Sequence, residues 1–148
     1  MHKGRKHGPW RLAAVWVLGA AVVLPLCAAE MGDAAYQQAT EQIDARTDQA
    51  LAHCKTLSAG SAAQRRCRLE AESLQTVDKS ALQAQRHPSG NNRFKAMAAQ
   101  VDRAYVLAVE ACKARHAGID KDSKAAQQTC LTQARQKRAA GIQDAHEQ

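Results

Sequence analysis

Cys54 and Cys67 bracket Gly60, and Cys112 and Cys130 bracket Gly118, so the chain carries one cysteine–turn–cysteine unit twice. The two copies match residue by residue. Tyr36, Gln42, Ile43, Asp44, Ala50, Leu51, Cys54, Lys55, Ala59 and Gly60 align with Phe94, Gln100, Val101, Asp102, Ala108, Val109, Cys112, Lys113, Ala117 and Gly118. A five-residue insertion, Ile119 to Ser123, interrupts the second copy. The register then returns, with Ala62-Ala63-Gln64, Cys67 and Ala71 against Ala125-Ala126-Gln127, Cys130 and Ala134. Four paired cysteines allow three connectivities. The duplication selects Cys54–Cys67 and Cys112–Cys130, because each bond then closes within one copy.

Helix geometry supports that pairing. In an antiparallel helical hairpin, residues equidistant from the turn face each other; Cys54 lies six residues before Gly60 and Cys67 seven after it, so each stands roughly 9–10 Å up its helix at 1.5 Å per residue. A disulfide needs Cα atoms about 4.4–6.8 Å apart, closer than the usual 8–10 Å between helix axes. Small residues one turn away permit that approach: Ala50, Ala63 and Ala71 in the first copy, Ala108, Ala126 and Ala134 in the second.

Four helices account for nearly everything after residue 30. The first is expected over 34–57 with Asp33 as N-cap, its inward face Tyr36, Thr40, Ile43, Thr47, Ala50, Cys54 and Leu57. Gly60 supplies a left-handed stop, and Ser61 with Gln64 forms a capping box for the second helix, which fades near Gln85. That helix turns Cys67, Ala71, Leu74, Val77 or Asp78, and Leu82 inward. His87-Pro88-Ser89-Gly90-Asn91-Asn92 breaks the chain, and Asn92 is placed to cap a third helix over 93–116. Phe94, Met97, Val101, Tyr105, Ala108 and Cys112 form its face, widened by Leu107 and Val109. The fourth is expected over 123–140, with a frayed end at 145–148. The fold class is therefore all-α: two duplicated helical hairpins, each with one internal disulfide, as a four-helix bundle or tandem hairpins. The divisions are 1–29, 30–86, a linker at 87–92, and 93–148.

The N-terminus reads as an export signal. Lys3, Arg5, Lys6 and Arg11 precede an apolar run, Leu12 to Leu24, which Pro25 ends; Cys27-Ala28-Ala29 then offers small residues to a signal peptidase, with cleavage after Ala29. The competing readings are an uncleaved anchor and a lipid-anchored cysteine at Cys27, where bulky Leu26 stands in place of the usual small residue. Cleavage removes Cys27 and leaves four cysteines, an even number suited to an oxidising compartment, here a bacterial periplasm. It also removes four of the 21 basic residues, leaving 17 against 14 acidic ones, a net charge of +3. After the leader the only aromatics are Tyr36, Phe94 and Tyr105, so the core is thin and the crosslinks matter to stability.

No catalytic constellation is legible. The cysteine spacing is not Cys-x-x-Cys, and a zinc site joining these thiols to His53 or His116 lacks the short ligand spacing of zinc motifs. Those histidines sit near helix C-termini, where a cationic ring suits the helix dipole. The carboxylate pairs Glu70/Glu72 and Asp120/Asp122 read as solvated or capping groups rather than a general acid and base. Basic clusters at Arg65, Arg66, Arg68 and at Arg135, Lys137, Arg138 are solvated helix faces or interaction patches. Small net charge, export and scarce aromatics argue against nucleic acid.

Cys112, Cys130-Leu131, Ala134, Arg138 and Ile142 resemble the closing segment of LprI-type lysozyme-inhibitor domains. Ala104 or Tyr105 and Ala108 stand where that family has tryptophan and arginine, and Arg135 replaces its tyrosine. The doubled Cys…Cys-Leu plan also resembles PsiF-type exported repeats, although Cys67 is followed by Arg68. The first resemblance implies inhibition of a lysozyme, with Asp120 and Asp122 as the acidic contacts for a basic enzyme. The expectation is an exported, non-enzymatic binding protein of the periplasm that needs no cofactor. Its partner is a protein or cell-envelope component, and the membrane is touched only through an uncleaved signal. A metal-binding or thiol-redox protein using the same cysteines is the alternative.

Overall fold

The computed structural model describes residues 31–148, so the leader, the cleavage point after Ala29 and Cys27 lie outside the described residues. Four helices follow in order: α1 Asp33–Lys55, α2 Ala62–Arg86, α3 Gly90–Arg115 and α4 Lys121–Glu147. The described residues contain no strand, and none of their helices is long and apolar enough to cross a membrane.

Local chemistry sets the helix ends. Gly60 adopts φ 71°, the left-handed conformation that lets the chain reverse after α1. Ser61 Oγ then accepts the Gln64 N–H at 3.0 Å, and Gln64 Oε1 reaches back to the Gly60 N–H at 2.8 Å. This reciprocal cap differs from the expected box by one residue, since Gly60 rather than Ser61 donates. Gly32 is the N-cap of α1, so Asp33 lies in the first turn, where its charge suits the dipole. Ser89, not Asn92, caps α3: its hydroxyl accepts the Asn92 N–H at 3.1 Å, freeing the Asn92 amide to donate to the His87 carbonyl at 2.8 Å. The helix break shortens accordingly to residues 87–89. Asp120 starts α4 by accepting the Ser123 N–H and hydroxyl at 2.8 and 2.7 Å.

The expected fraying of the C-terminus does not occur. Helix α4 runs to Glu147, Ala145 is buried, and His146 stacks on Phe94 with ring centroids 4.0 Å apart. Packing against α3 supplies the order that local sequence does not.

Each helix packs on its neighbours in chain order: α1 on α2, α2 on α3, α3 on α4. Among the described residues no Cα of α1 comes within 8 Å of α3 or α4, nor any of α2 within 8 Å of α4. The two hairpins are thus joined along α2 and α3, and the bundle is opened into a single layer with α1 and α4 as its edges. One polar pair marks the seam. Glu110 is buried on α3 and accepts from Arg65 Nε of α2 at 3.2 Å, while Arg65 also reaches the Gly60 carbonyl. The sequence pattern gave no reason to place Glu110 inward, because it lies opposite the apolar face and is covered by α2.

The core is slight, as a layer one helix thick requires. Ile43, Leu82, Cys54, Cys112 and the alanines 71, 134 and 145 are its buried apolar members, with Thr47 among them. Leu74, expected inside, is 45% exposed. Of the six alanines expected to admit the crosslinks, Ala71 and Ala134 are buried, Ala108 is half-buried, and Ala50, Ala63 and Ala126 are exposed. Buried and bonded positions correspond between the hairpins. Ala71 and Leu82 match Ala134 and Ala145. The Gln75–Asp44 bond matches Arg138–Asp102, and Tyr36–Gln83 matches Phe94–His146.

Candidate functional site

Both disulfides close within a hairpin. Cys54 and Cys67 bring α1 and α2 to a Cα separation of 5.5 Å, and Cys112 and Cys130 bring α3 and α4 to 5.8 Å. With all four thiols joined, none is free as a nucleophile or metal-binding thiolate. Among the described residues no three His, Cys, Asp or Glu side chains converge as a metal site would require.

The second hairpin carries an open apolar groove. Between α3 and α4 run two adjoining hollows of about 210 and 240 Å³, sharing Ala108, Ala134 and Lys137. Their floor is Val101, Ala104, Ala108, Ala111, Ala134 and Gly141, beside Tyr105 and the disulfide. Gly141 sets the depth at one end: a Cβ there would stand 3.0 Å from both methyls of Val101, so the missing side chain lets the helices close at that point. Arg115 and Lys137 stand at the rim. Arg138 also borders the groove, but Asp102 holds it at 2.6 Å and keeps its guanidinium more firmly protonated, with the cation 5.4 Å from the Tyr105 ring centroid.

Charge is distributed unevenly between the hairpins. Residues 33–86 hold seven basic and seven acidic side chains, whereas residues 90–148 hold ten basic and six acidic, a net +4. Pairing sharpens the contrast. Every arginine of the first hairpin bonds a carboxylate: Arg46 with Asp78, Arg65 with Glu110, Arg66 with Glu70, Arg68 with Glu72 and Arg86 with Asp33. In the second hairpin only Arg138 does so among the described residues, and one of its six acids, Glu110, is taken by Arg65.

The candidate interaction residues therefore separate. Arg65, Arg66 and Arg68 are engaged within the fold, and Glu70 and Glu72 are their partners rather than a catalytic pair. Asp120 is committed to capping α4, while Asp122 is exposed in the first turn of that helix. Arg135 and Lys137 are exposed and lack a carboxylate partner among the described residues, but only Lys137 borders the groove. His53 lies in the last turn of α1 and His116 caps α3, as their positions suggested. Sequence reasoning missed Arg115 and the groove floor. The alanines that form it signal helix contact in sequence, without showing that one side of the contact stays open.

Asp44 and Asp120 make the acid limb of stability predictable. Hydrogen bonds from Lys79 and then Gln75 lower the Asp44 pKa, and the Ser123 hydroxyl and N–H lower that of Asp120, both from an ordinary value of 3.8. Folded carboxyls with lowered pKa lend stability that is full above the unfolded value and is lost as pH falls through the folded one. Urea midpoints followed from neutral pH downwards are expected to fall once the pH drops below about 4. In Asp44→Asn/Asp120→Asn that limb is shallower, while the amide introduced at position 120 can still cap α4. An unchanged limb contradicts the assignment.

Searches against protein families, curated proteins and solved structures return no match for this chain.

Proposed function

We propose that this is an exported, non-enzymatic binding protein of the bacterial periplasm, built from a duplicated helical hairpin and cleaved from its leader after Ala29. Its two disulfides belong to an oxidising compartment, and the basic leader followed by an apolar run supplies the route there. The observation that carries the reading is the groove between α3 and α4, open on a hairpin whose cations are largely unpaired. An apolar cleft with convergent charge is what a binding surface requires. Lysozyme inhibition, the sharper form implied by resemblance, calls for free carboxylates facing a basic enzyme. Here Asp120 is already used as a cap and the free charges are mainly cations, so the electrostatics favour an acidic partner.

The test is capture. Immobilised, oxidised protein is expected to retain a periplasmic or envelope component saturably, and the same protein reduced and alkylated is expected to lose it. The absence of any saturable ligand, or equal capture by the unfolded chain, contradicts the proposal.

A further inference from the structure

We propose, on the basis of that binding role, that the α3–α4 groove takes an acidic amphipathic helix from a partner protein. The groove lies between two antiparallel helices, so a third helix laid along it buries an apolar ridge against Val101, Ala104, Ala108 and Gly141. Val101 and Gly141 lie about one turn past Lys137 at one end, and the rim cations Arg115 and Lys137 stand over the remainder of the groove. Their backbones stand about 16 Å apart along the groove at 1.5 Å per residue, given the antiparallel register that pairs Asp102 with Arg138 and Cys112 with Cys130. Side chains on a helix lean toward its N-terminus, so on antiparallel helices these two lean toward each other. Carboxylates roughly two to three turns apart on one face of the bound helix then reach both cations.

The geometry selects this occupant over others. A bilayer meets protruding apolar groups, and this surface is concave. A polyanion needs cations but gains nothing from a floor of valine, alanine and glycine. A second copy could offer α1, whose Glu41 and Asp48 lack basic partners among the described residues, but α1 spends its apolar face, Ile43, Thr47 and Cys54, on α2. Charge complementarity with an apolar ridge is left, and that combination describes an acidic amphipathic helix.

The probe is a labelled synthetic helix with a leucine ridge flanked by glutamates, titrated into the intact disulfide-bonded protein by fluorescence anisotropy. Saturable binding that weakens as salt rises is expected, and the counterpart with lysine in place of glutamate is expected not to bind. Arg115→Glu/Lys137→Glu weakens binding about tenfold or more, as expected for rim charges at a small interface. Arg135→Glu makes the same kind of charge change on the same helix away from the groove, and changes affinity less than about twofold. Ala104→Phe, which fills the groove from an exposed position, also abolishes binding; circular dichroism checks that each variant stays helical.

Equal loss in Arg135→Glu overturns the groove in favour of bulk charge. Equal binding of polyglutamate or heparin overturns it in favour of a polyanion site. Capture by anionic phosphatidylglycerol vesicles without peptide binding overturns it in favour of a membrane surface, and concentration-dependent dimerisation that excludes the peptide does so in favour of a second copy. If the peptide fails while saturable capture from the envelope persists, the groove assignment falls and the binding role stands. If both fail, the binding role falls as well.

Discussion

Replacing Cys112 and Cys130 together by alanine is expected to lower stability by about 3 kcal/mol, the loop-closure term for cysteines 18 residues apart. The Cys54→Ala/Cys67→Ala pair, at a separation of 13, loses nearly as much. For a domain of this size either change corresponds to a fall in Tm on the order of 10–15 °C. Differential scanning calorimetry measures both. The consequences for binding differ. The Cys112–Cys130 bond lines the groove and holds α3 and α4 at 5.8 Å between Cα atoms. Losing it separates the walls and abolishes peptide binding even where the helices persist. Losing Cys54–Cys67 loosens the far hairpin and leaves the groove intact. Equal effects of the two pairs on binding would contradict the location of the site.

Leu82→Ala is expected to cost about 3 kcal/mol, within the 2–5 kcal/mol range for truncating a buried leucine. Leu82 is 6% exposed and, with Ile43, is one of two large aliphatic side chains that are buried among the described residues. The matching position in the second hairpin is Ala145, so that hairpin has no such group to lose and depends more on its disulfide and on the Phe94–His146 stack. Ile119→Ser is the control. Ile119 is 90% exposed in the α3–α4 turn, and its removal changes stability by less than about 0.5 kcal/mol. Urea unfolding of the three proteins decides the point, and a Leu82→Ala cost no larger than that of Ile119→Ser would contradict the packing described.

The cysteine pairs, glycine turns and alignment of the two copies made the helix count, hairpin order and crosslinks legible. Cys54 and Cys67 could be matched because they lie six and seven residues from Gly60 and residues equidistant from a turn face each other, and the duplication carries that pairing to Cys112 and Cys130. What escaped depends on the neighbouring helix. Glu110 reads as a solvated residue until α2 covers it and Arg65 pairs with it. Ala145 and His146 read as a loose end until Phe94 holds them. Leu74 reads as core, yet the layer has no helix to cover it. Arg135 and Lys137 are near neighbours in sequence, but the two positions fall on different sides of α4, and only one borders the groove. Even so, Asp102 opposite Arg138 follows from the same alignment that sets Asp44 opposite Gln75. The long-range pairs were therefore partly present in the duplication.

Digestion of the unreduced protein followed by mass spectrometry of the linked peptides addresses the central claim most directly. The account predicts one species joining the Cys54 and Cys67 peptides and another joining the Cys112 and Cys130 peptides, with no free thiol. A peptide linking Cys54 to Cys112 or Cys130, or four unmodified thiols, would contradict it.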